Sequence, residues 1–144
     1  PIVNSKGNKT TSIIKKLSNL GIKLNITAVF TVNQVKNILR NINKNSEIII
    51  SIFAGRIADT GVDPEKIIKK SVNLSSKFNK TYILWASTRE FLNIYHAQKC
   101  NAHIITVPEV ILKKTASLRK NLKVYSRETV KQFYKDAKLS KFKI

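Results

Sequence analysis

The sequence has few of the residues that are abundant in disulfide-rich exported proteins, in proteins that bind metals through cysteine, and in flexible linkers. It has one cysteine, four glycines and three prolines in 144 residues. Because Cys100 is alone, it cannot form a disulfide within the chain or join a cluster of metal-binding thiolates. No secretory signal opens the chain, and no apolar run approaches the ~20 residues of a membrane span. We predict a cytoplasmic protein with no metal site and no membrane partner.

Acidic residues are scarce: eight Asp and Glu stand against 27 Lys and Arg, which gives a formal net charge of +19. Such a charge is typical of nucleic-acid-binding proteins. The lysines are nevertheless spread over most segments, and no basic stripe is interleaved with aromatic residues. Abundant Lys, Ile and Asn also fit an A+T-rich coding sequence. We therefore interpret the charge as a solvated surface and keep a basic α/β nucleic-acid-binding module as the less favoured alternative.

Short β-rich runs alternate with amphipathic helical patterns along the chain. The predicted strands are residues 22–30, 47–53, 81–86 and 103–107. Six helices are predicted. The first covers residues 11–20, the second is capped by Thr31, and the third begins at Asp63, Pro64 and Glu65. The fourth has Phe91, Ile94 and Tyr95 inward, the fifth begins at Pro108, and the sixth covers residues 126–139 and is capped by Ser126. Gly21 stands where the first helix should end. The alternation predicts an α/β fold with a parallel sheet covered by helices.

Two architectures fit such a sheet: a doubly wound open sheet and a (β/α)8 barrel. A complete barrel needs ~250 residues, whereas the chain has about four βα units and the end of one more strand at residues 1–3. We therefore predict one domain over residues 1–144 that is either half a barrel or a small open sheet.

Polar side chains interrupt strands that should be apolar on both faces. Asn25 and Thr27 share a face of the first predicted strand, and Ser51 lies within a run of isoleucines in the second. In a barrel, polar residues near the carboxyl ends of strands are typical of the active site. An edge strand with one wet face would account for Asn25 and Thr27 alone, but a buried Ser51 hydroxyl needs a partner.

Two arginines lie just past the ends of neighbouring predicted strands. Arg56 follows the second strand and Arg89 the third, with Ser87 two residues before Arg89. The arginine fork suits phosphate oxygens, so these three residues predict a phosphate clamp. The alternative is that both arginines are ordinary surface residues, although the chain has only five arginines.

At these positions the sequence resembles the transaldolase family, in its short branch near the fructose-6-phosphate aldolases. The resemblance rests on four segments in the family's order: LNITAVFT (24–31), SIFAGRIAD (51–59), ASTR (86–89) and HIITVP (103–108). The second matches the family pattern Ser-x-Phe-x-Gly-Arg-Ile-x-Asp. The resemblance implies the C-terminal half of a TIM barrel, with strands five to eight, the end of strand four, and the C-terminal helices.

The resemblance also implies a class I aldolase mechanism in the pentose phosphate pathway, without a metal or an organic cofactor. A strand-four lysine forms a Schiff base with a ketose, retro-aldol cleavage releases an aldehyde, and the bound dihydroxyacetone unit passes to an aldose phosphate. The protonated imine is the electron sink. The implied substrates are fructose 6-phosphate, sedoheptulose 7-phosphate, erythrose 4-phosphate and glyceraldehyde 3-phosphate.

The resemblance assigns roles to seven side chains. They are Asn25, Ser51 and Phe53 for the dihydroxyacetone unit, Thr27 for orienting the water of proton transfer, and Arg56, Ser87 and Arg89 for the phosphate. Phe53 stands where direct aldolases carry a tyrosine, so transfer is favoured over fructose-6-phosphate aldolase-type cleavage, which stays the alternative. Asp59 is expected to pair with Arg56 or to be solvated.

The family's Schiff-base lysine precedes an Ile-Pro pair, and PIVNSKG (1–7) resembles the segment that begins at that proline. The lysine would therefore lie two residues before Pro1, whereas Lys6 belongs to a loop and Lys23 to the early end of a strand. We expect the 144-residue chain alone to be inactive and a full-length parent to be active. Unpaired strand edges predict self-association, and the family's oligomers predict a homo-oligomer.

Overall fold

The computed structural model describes residues 1–140, so residues 141–144 of the predicted domain lie outside it. The chain divides into two compact units, Pro1–Leu112 and one that begins at Lys113. The first unit has the strands β1 (Leu24–Val29), β2 (Ile48–Ile52), β3 (Thr81–Trp85) and β4 (Ile104–Ile105). Its helices are α1 (Thr11–Asn19), α2 (Val32–Asn41), α3 (Ala54–Ala58), α4 (Pro64–Ser75), α5 (Leu92–Lys99) and α6 (Glu109–Leu112). The second unit has a 3-10 turn (Lys113–Ser117) and α7 (Leu122–Leu139).

The four strands form one parallel sheet in the order β1-β2-β3-β4. Ile26 lies opposite Ile50, which in turn lies opposite Ile83. The Ile2 N–H donates a hydrogen bond to the Thr27 carbonyl at 3.0 Å, so the start of the chain lies beside β1. A parallel sheet with strands in sequential order and alternating helices confirms the predicted α/β class and is consistent with part of a TIM barrel.

One face of the sheet packs against the helices and forms the core. Its strand residues are Ile26, Ile48, Ile50, Ile52, Ile83 and Trp85, and its helix residues include Ile14, Val35, Ile38, Ile68 and Ala97. Because side chains alternate along a strand, the opposite face carries Asn25, Thr27, Ile49, Ser51, Tyr82 and Leu84. The polar strand residues therefore lie on the face away from the helical core.

Three helix boundaries confirm their sequence signals. The Thr31 side chain accepts a hydrogen bond from the Gln34 N–H, and the Gln34 side chain accepts one from the Thr31 N–H, which completes a capping box. Asp63 caps α4 through the Glu65 N–H, with proline at the first helical position. Gly21 has a φ of 73°, the left-handed conformation that ends α1.

The predicted start of the last helix is wrong. The helix α7 begins at Leu122, and the Asn121 side chain accepts hydrogen bonds from the N–H groups of Lys123 and Val124. Ser126 therefore lies inside the helix, because Asn121 already satisfies the free N–H groups of the first turn.

The predicted inward position of Tyr95 is also wrong, since its side chain is 50% exposed. The helix α5 buries Asn93 and Ala97 instead. Asn93 Oδ1 accepts a hydrogen bond from the Arg89 N–H at 3.0 Å. A polar contact therefore determines which face of α5 is buried, and the spacing of apolar residues in the sequence does not predict that face. The structure also has the helix α3, which is not among the predicted helices, and β4 is shorter than the predicted strand 103–107.

A bulge interrupts the pairing near the carboxyl end of β1. Ile26 pairs with Ile50, but the next pair is Val29 with Ile52, so three residues of β1 advance while β2 advances by two. Ala28 takes the extra position with a φ of 56°, which is rare for a residue other than glycine. The bulge returns Val29 to the helical core, where it is fully buried.

Glu65 joins α4 to α5 through an ion-pair network. Its carboxylate lies 3.1 Å from Lys99 Nζ and 3.3 Å from Lys69 Nζ, and its side chain is 17% exposed. The hydrogen bond from Lys99 is the largest influence, and it holds the pKa of Glu65 below its ordinary value of 4.5 although burial opposes this. Because the folded pKa is lowered, the stabilisation is present above pH 4.5 and is lost as the pH falls through the folded pKa.

We expect the Glu65→Gln variant to lose less stability on acidification than the wild type, because glutamine removes this titration. The measurement is the urea midpoint of unfolding at a pH above 4.5 and at a pH below it. Lys66→Gln, on the same helix, is the matched control and should keep the wild-type pH dependence. An unchanged acid response in Glu65→Gln would contradict the role given to this carboxylate.

Candidate active site

Asn25 of β1 and Ser51 of β2 form a hydrogen-bonded pair. The Ser51 hydroxyl donates to Asn25 Oδ1 at 2.6 Å, and Ser51 is only 3% exposed. This bond offsets the cost of burying the hydroxyl. Among the described residues Asn25 Nδ2 has no hydrogen-bond acceptor, and Asn25 itself is exposed, so its amide is available as a donor to a ligand. Thr27 lies two residues further along β1 and is half-buried.

Phe53 follows β2 and is half-buried between an aromatic ring and a guanidinium. Its N–H donates to the Val29 carbonyl at 2.9 Å, and its ring centroid lies 5.9 Å from that of Phe30. The guanidinium carbon of Arg56, from α3, lies 5.4 Å from the Phe53 centroid. This cation–π contact holds the first of the two predicted phosphate-binding arginines beside the carboxyl end of β2.

A close approach between α3 and the loop after β3 brings in Ser87 and Arg89. The Gly55 N–H donates to the Ala86 carbonyl at 3.3 Å. A Cβ atom at Gly55 would lie 1.6 Å from the Ser87 carbonyl oxygen and 2.9 Å from Arg89 Cγ. Ser87 has a φ of 63°, a strained conformation for serine that is common at binding sites. Gly55 therefore connects the backbone that carries Arg56 to the loop that carries Ser87 and Arg89.

Arg89 is held at both its backbone and its side chain. Asn93 Oδ1 accepts from the Arg89 N–H, and Asp59 Oδ2 lies 2.7 Å from Arg89 Nη2. The prediction that Asp59 pairs with Arg56 is wrong, and the Asp59 side chain, although 52% exposed, pairs with Arg89. Because residues 54–58 are helical, Asp59 follows α3 and reaches the loop of the next strand rather than its own neighbour.

The sequence reasoning missed three residues that shape this region: Gly55, Thr88 and Asn93. Thr88 is 5% exposed, and its hydroxyl donates to the Thr106 carbonyl at 2.6 Å, which ties the loop after β3 to the end of β4. Gly55 stands within the Gly-Arg pair of the family pattern, and that position is the signal that would have identified it. Thr88 and Asn93 act through contacts with distant segments, which no local pattern records.

The remaining reactive side chains lie elsewhere in the first unit. His103 Nδ1 accepts from the Ile83 N–H at 2.9 Å, and burial raises the pKa of the Cys100 thiol. Within residues 1–140 no group of three or more His, Cys, Asp or Glu side chains is arranged to hold a metal ion. Over the same described range, no helix has the length and apolar character to cross a bilayer.

A family model described as Transaldolase/Fructose-6-phosphate aldolase matches residues 7–144. The chain belongs to this family. It is 37% identical to a probable transaldolase of Carboxydothermus hydrogenoformans over 100 residues, which are 69% of this chain and 45% of that protein. It is 35% identical to a probable transaldolase of Thermoanaerobacter sp. over 100 residues, or 69% of this chain and 44% of that protein.

A probable transaldolase of Streptococcus pyogenes is 33% identical over 113 residues, which are 78% of this chain and 50% of that protein. The chain thus spans about half the length of the curated relatives it matches. These matches confirm the resemblance to the transaldolase family. They leave the roles of individual family residues in this chain as proposals.

Proposed function

We propose that this chain is the C-terminal part of a transaldolase that transfers a dihydroxyacetone unit between sugar phosphates through a lysine Schiff base. One observation carries the proposal: a polar pair joins two neighbouring parallel strands, and an arginine cluster lies just past the carboxyl ends of β2 and β3. The pair is Asn25 with Ser51, and the cluster has Arg56 and Arg89 on either side of Gly55. Carboxyl ends of parallel strands are where barrel enzymes hold substrates.

The polar pair suits the dihydroxyacetone end of the substrate. The free amide of Asn25 donates a hydrogen bond to one substrate hydroxyl. The Ser51 hydroxyl keeps Asn25 oriented by donating to it, and its oxygen accepts a hydrogen bond from the other substrate hydroxyl. Thr27 orients the water that carries the proton to and from the bound carbon skeleton. A strand running back from Ile2 beside β1 would bring a lysine two residues before Pro1 next to Asn25, since Ile2 bonds to Thr27. Attack by that lysine would give the Schiff base.

The arginine cluster suits the phosphate end. Two guanidiniums and the Ser87 hydroxyl would bind phosphate oxygens with charge-assisted hydrogen bonds. Phe53 offers no hydroxyl to act as an acid, which favours transfer to an acceptor over direct aldol cleavage. Direct cleavage of the fructose-6-phosphate aldolase type is the second candidate.

Borohydride trapping tests the Schiff base. We expect a full-length parent treated with fructose 6-phosphate and borohydride to gain the mass of one reduced dihydroxyacetone unit, on a lysine upstream of Pro1. We expect the 144-residue chain to gain none. A parent that forms no adduct would remove the lysine mechanism, and an adduct on the 144-residue chain would show that the lysine is assigned wrongly.

Acceptor dependence separates the two candidate reactions. A transaldolase should release glyceraldehyde 3-phosphate in step with consumption of erythrose 4-phosphate and form sedoheptulose 7-phosphate. Multiple turnovers without an acceptor would instead identify a direct aldolase. We further propose that the whole enzyme is a cytoplasmic homo-oligomer, as the oligomers of the family imply, whereas the unpaired strand edges of the 144-residue chain favour its own self-association.

A further inference from the structure

The surface formed by α2, by α4 from Lys66 onward and by the loops that follow the two helices has no acidic residue. Residues 32–46 and 66–80 contain eight Lys and Arg and no Asp or Glu. All eight cationic residues are exposed. The two segments are far apart in sequence, so the sequence alone indicates charges scattered over a solvated surface. The packing of α2 against α4 brings the two segments together.

Two adjoining grooves run along this surface. One has a volume of about 550 Å³ and is lined by residues that include Asn33, Lys36, Lys70 and Asn73. The other has a volume of about 300 Å³ and is lined by residues that include Lys36, Arg40 and Phe78. Since Lys36 and Leu74 line both, the two grooves adjoin, and we call them together the α2–α4 groove. Lys44 extends the row of cations, with its ammonium 5.5 Å from the Phe78 centroid.

The positive charge of this groove is not neutralised by neighbouring carboxylates. Within the part of the chain that the structure describes, Lys36, Arg40 and Lys70 form no ion pair. The nearest acidic residues in sequence are engaged elsewhere: Glu65 with Lys69 and Lys99, and Glu47 with Lys23. An anion that enters the groove therefore meets cations without displacing a protein carboxylate.

The lining of the groove distinguishes between anionic partners. No large apolar side chain is exposed in residues 32–46 or 66–80, and insertion into a bilayer needs such side chains. An acidic protein would bury large apolar anchors at the centre of its interface, whereas the apolar residues that line this groove, Leu39, Leu74 and Phe78, are themselves buried or half-buried. A chain of phosphates needs only spaced cations and amides, and the groove has Lys36 and Lys70 beside Asn33 and Asn73.

We propose that the α2–α4 groove binds the phosphodiester backbone of a nucleic acid without reading its sequence. Lys36, Arg40 and Lys70 contact phosphates, and the two asparagine amides donate hydrogen bonds to sugar and phosphate oxygens. The groove lies on the helical side of the sheet, opposite the face that carries Asn25 and Ser51. This binding is therefore independent of the sugar-phosphate chemistry.

Fluorescence anisotropy with the 144-residue chain and labelled single-stranded oligonucleotides of mixed sequence tests the proposal. We expect Kd to rise steeply with salt. Changing Lys36, Arg40 and Lys70 to Gln together should weaken binding at least tenfold and reduce the slope of log K against log salt by about 2. RNA and DNA of one sequence separate the two nucleic acids as the source, and equal affinities are expected for a backbone-only contact.

The matched control changes Lys6, Lys15 and Lys16 to Gln, which removes the same charge from exposed positions outside the groove. It should change Kd less than twofold. Equal weakening by the two triple variants would overturn the proposal, because charge alone would then explain binding. Competition by polyglutamate at equal charge concentration, or absence of oligonucleotide binding at low salt, would also overturn it. The urea midpoint checks that both variants stay folded.

Discussion

Replacing Gly55 with alanine is expected to lower the free energy of unfolding of the first compact unit by about 3 kcal/mol or more. The new Cβ would lie 1.6 Å from the Ser87 carbonyl oxygen, and 2.8 Å from its carbonyl carbon. Both are backbone atoms, so no side-chain rotation relieves the clash, and α3 must move away from the loop after β3. That movement also breaks the hydrogen bond from Gly55 N–H to Ala86. Urea unfolding followed by circular dichroism measures the loss.

Gly61→Ala is the matched control for this prediction. Gly61 has a φ of 79°, but a Cβ at this position would meet no atom within 4 Å. We expect only the cost of a left-handed alanine, about 1 kcal/mol. Equal losses in the two variants would mean that backbone conformation, rather than the approach of α3 to Ser87, explains the need for glycine at position 55.

Replacing Arg89 with glutamine in a full-length parent is expected to lower kcat/KM for fructose 6-phosphate about 100-fold. The loss corresponds to two charge-assisted hydrogen bonds from one guanidinium to a phosphate. The same variant should cleave or transfer an unphosphorylated ketose almost as well as the wild type. Steady-state kinetics with both substrates measures the difference, and an equal loss for both would contradict the phosphate assignment.

Two further variants test whether the loss of kcat/KM for the phosphorylated substrate comes from the arginine cluster around Gly55. Asp59→Asn keeps the side-chain shape but removes the ion pair to Arg89, so we expect an increase in KM of about tenfold with little change in kcat. Arg127→Gln removes an exposed arginine from α7 and is expected to leave both constants unchanged. A loss in Arg127→Gln as large as that in Arg89→Gln would indicate a general effect of charge.

Much of the fold was predictable because its signals are local. Thr31 and Asp63 each cap a helix with their own side chain, and Gly21 ends a helix through its backbone. These contacts span at most three residues. The cap of α7 was mispredicted because Asn121 and Ser126 are both good capping residues, and local preference does not choose between them. The five-residue helix α3 is too short to give a helical apolar pattern.

The candidate site was predictable in its residues but not in their contacts. Asn25 and Ser51 stand out because they are polar within apolar strands, and the sheet places Ser51 diagonally across from Asn25, two residues beyond its partner Ile49. The pairing of Asp59 with Arg89 crosses 30 residues of sequence and depends on the approach of α3 to the loop after β3. The bulge at Ala28 has no sequence signal, because an alanine with positive φ is held there only by the surrounding tertiary structure.

The bulge in β1 determines how this strand responds to a change of length. Removing Ala28 would restore even pairing between Ile26–Ile50 and the pair that follows. The same deletion would leave Val29 two positions after Ile26, on the same surface of the sheet and still opposite Ile52, so Val29 would stay in the hydrophobic interior. A protein engineer who trims the irregular residue would gain a regular ladder with the same residues inside, whereas inserting one residue elsewhere in the strand would exchange inside for outside.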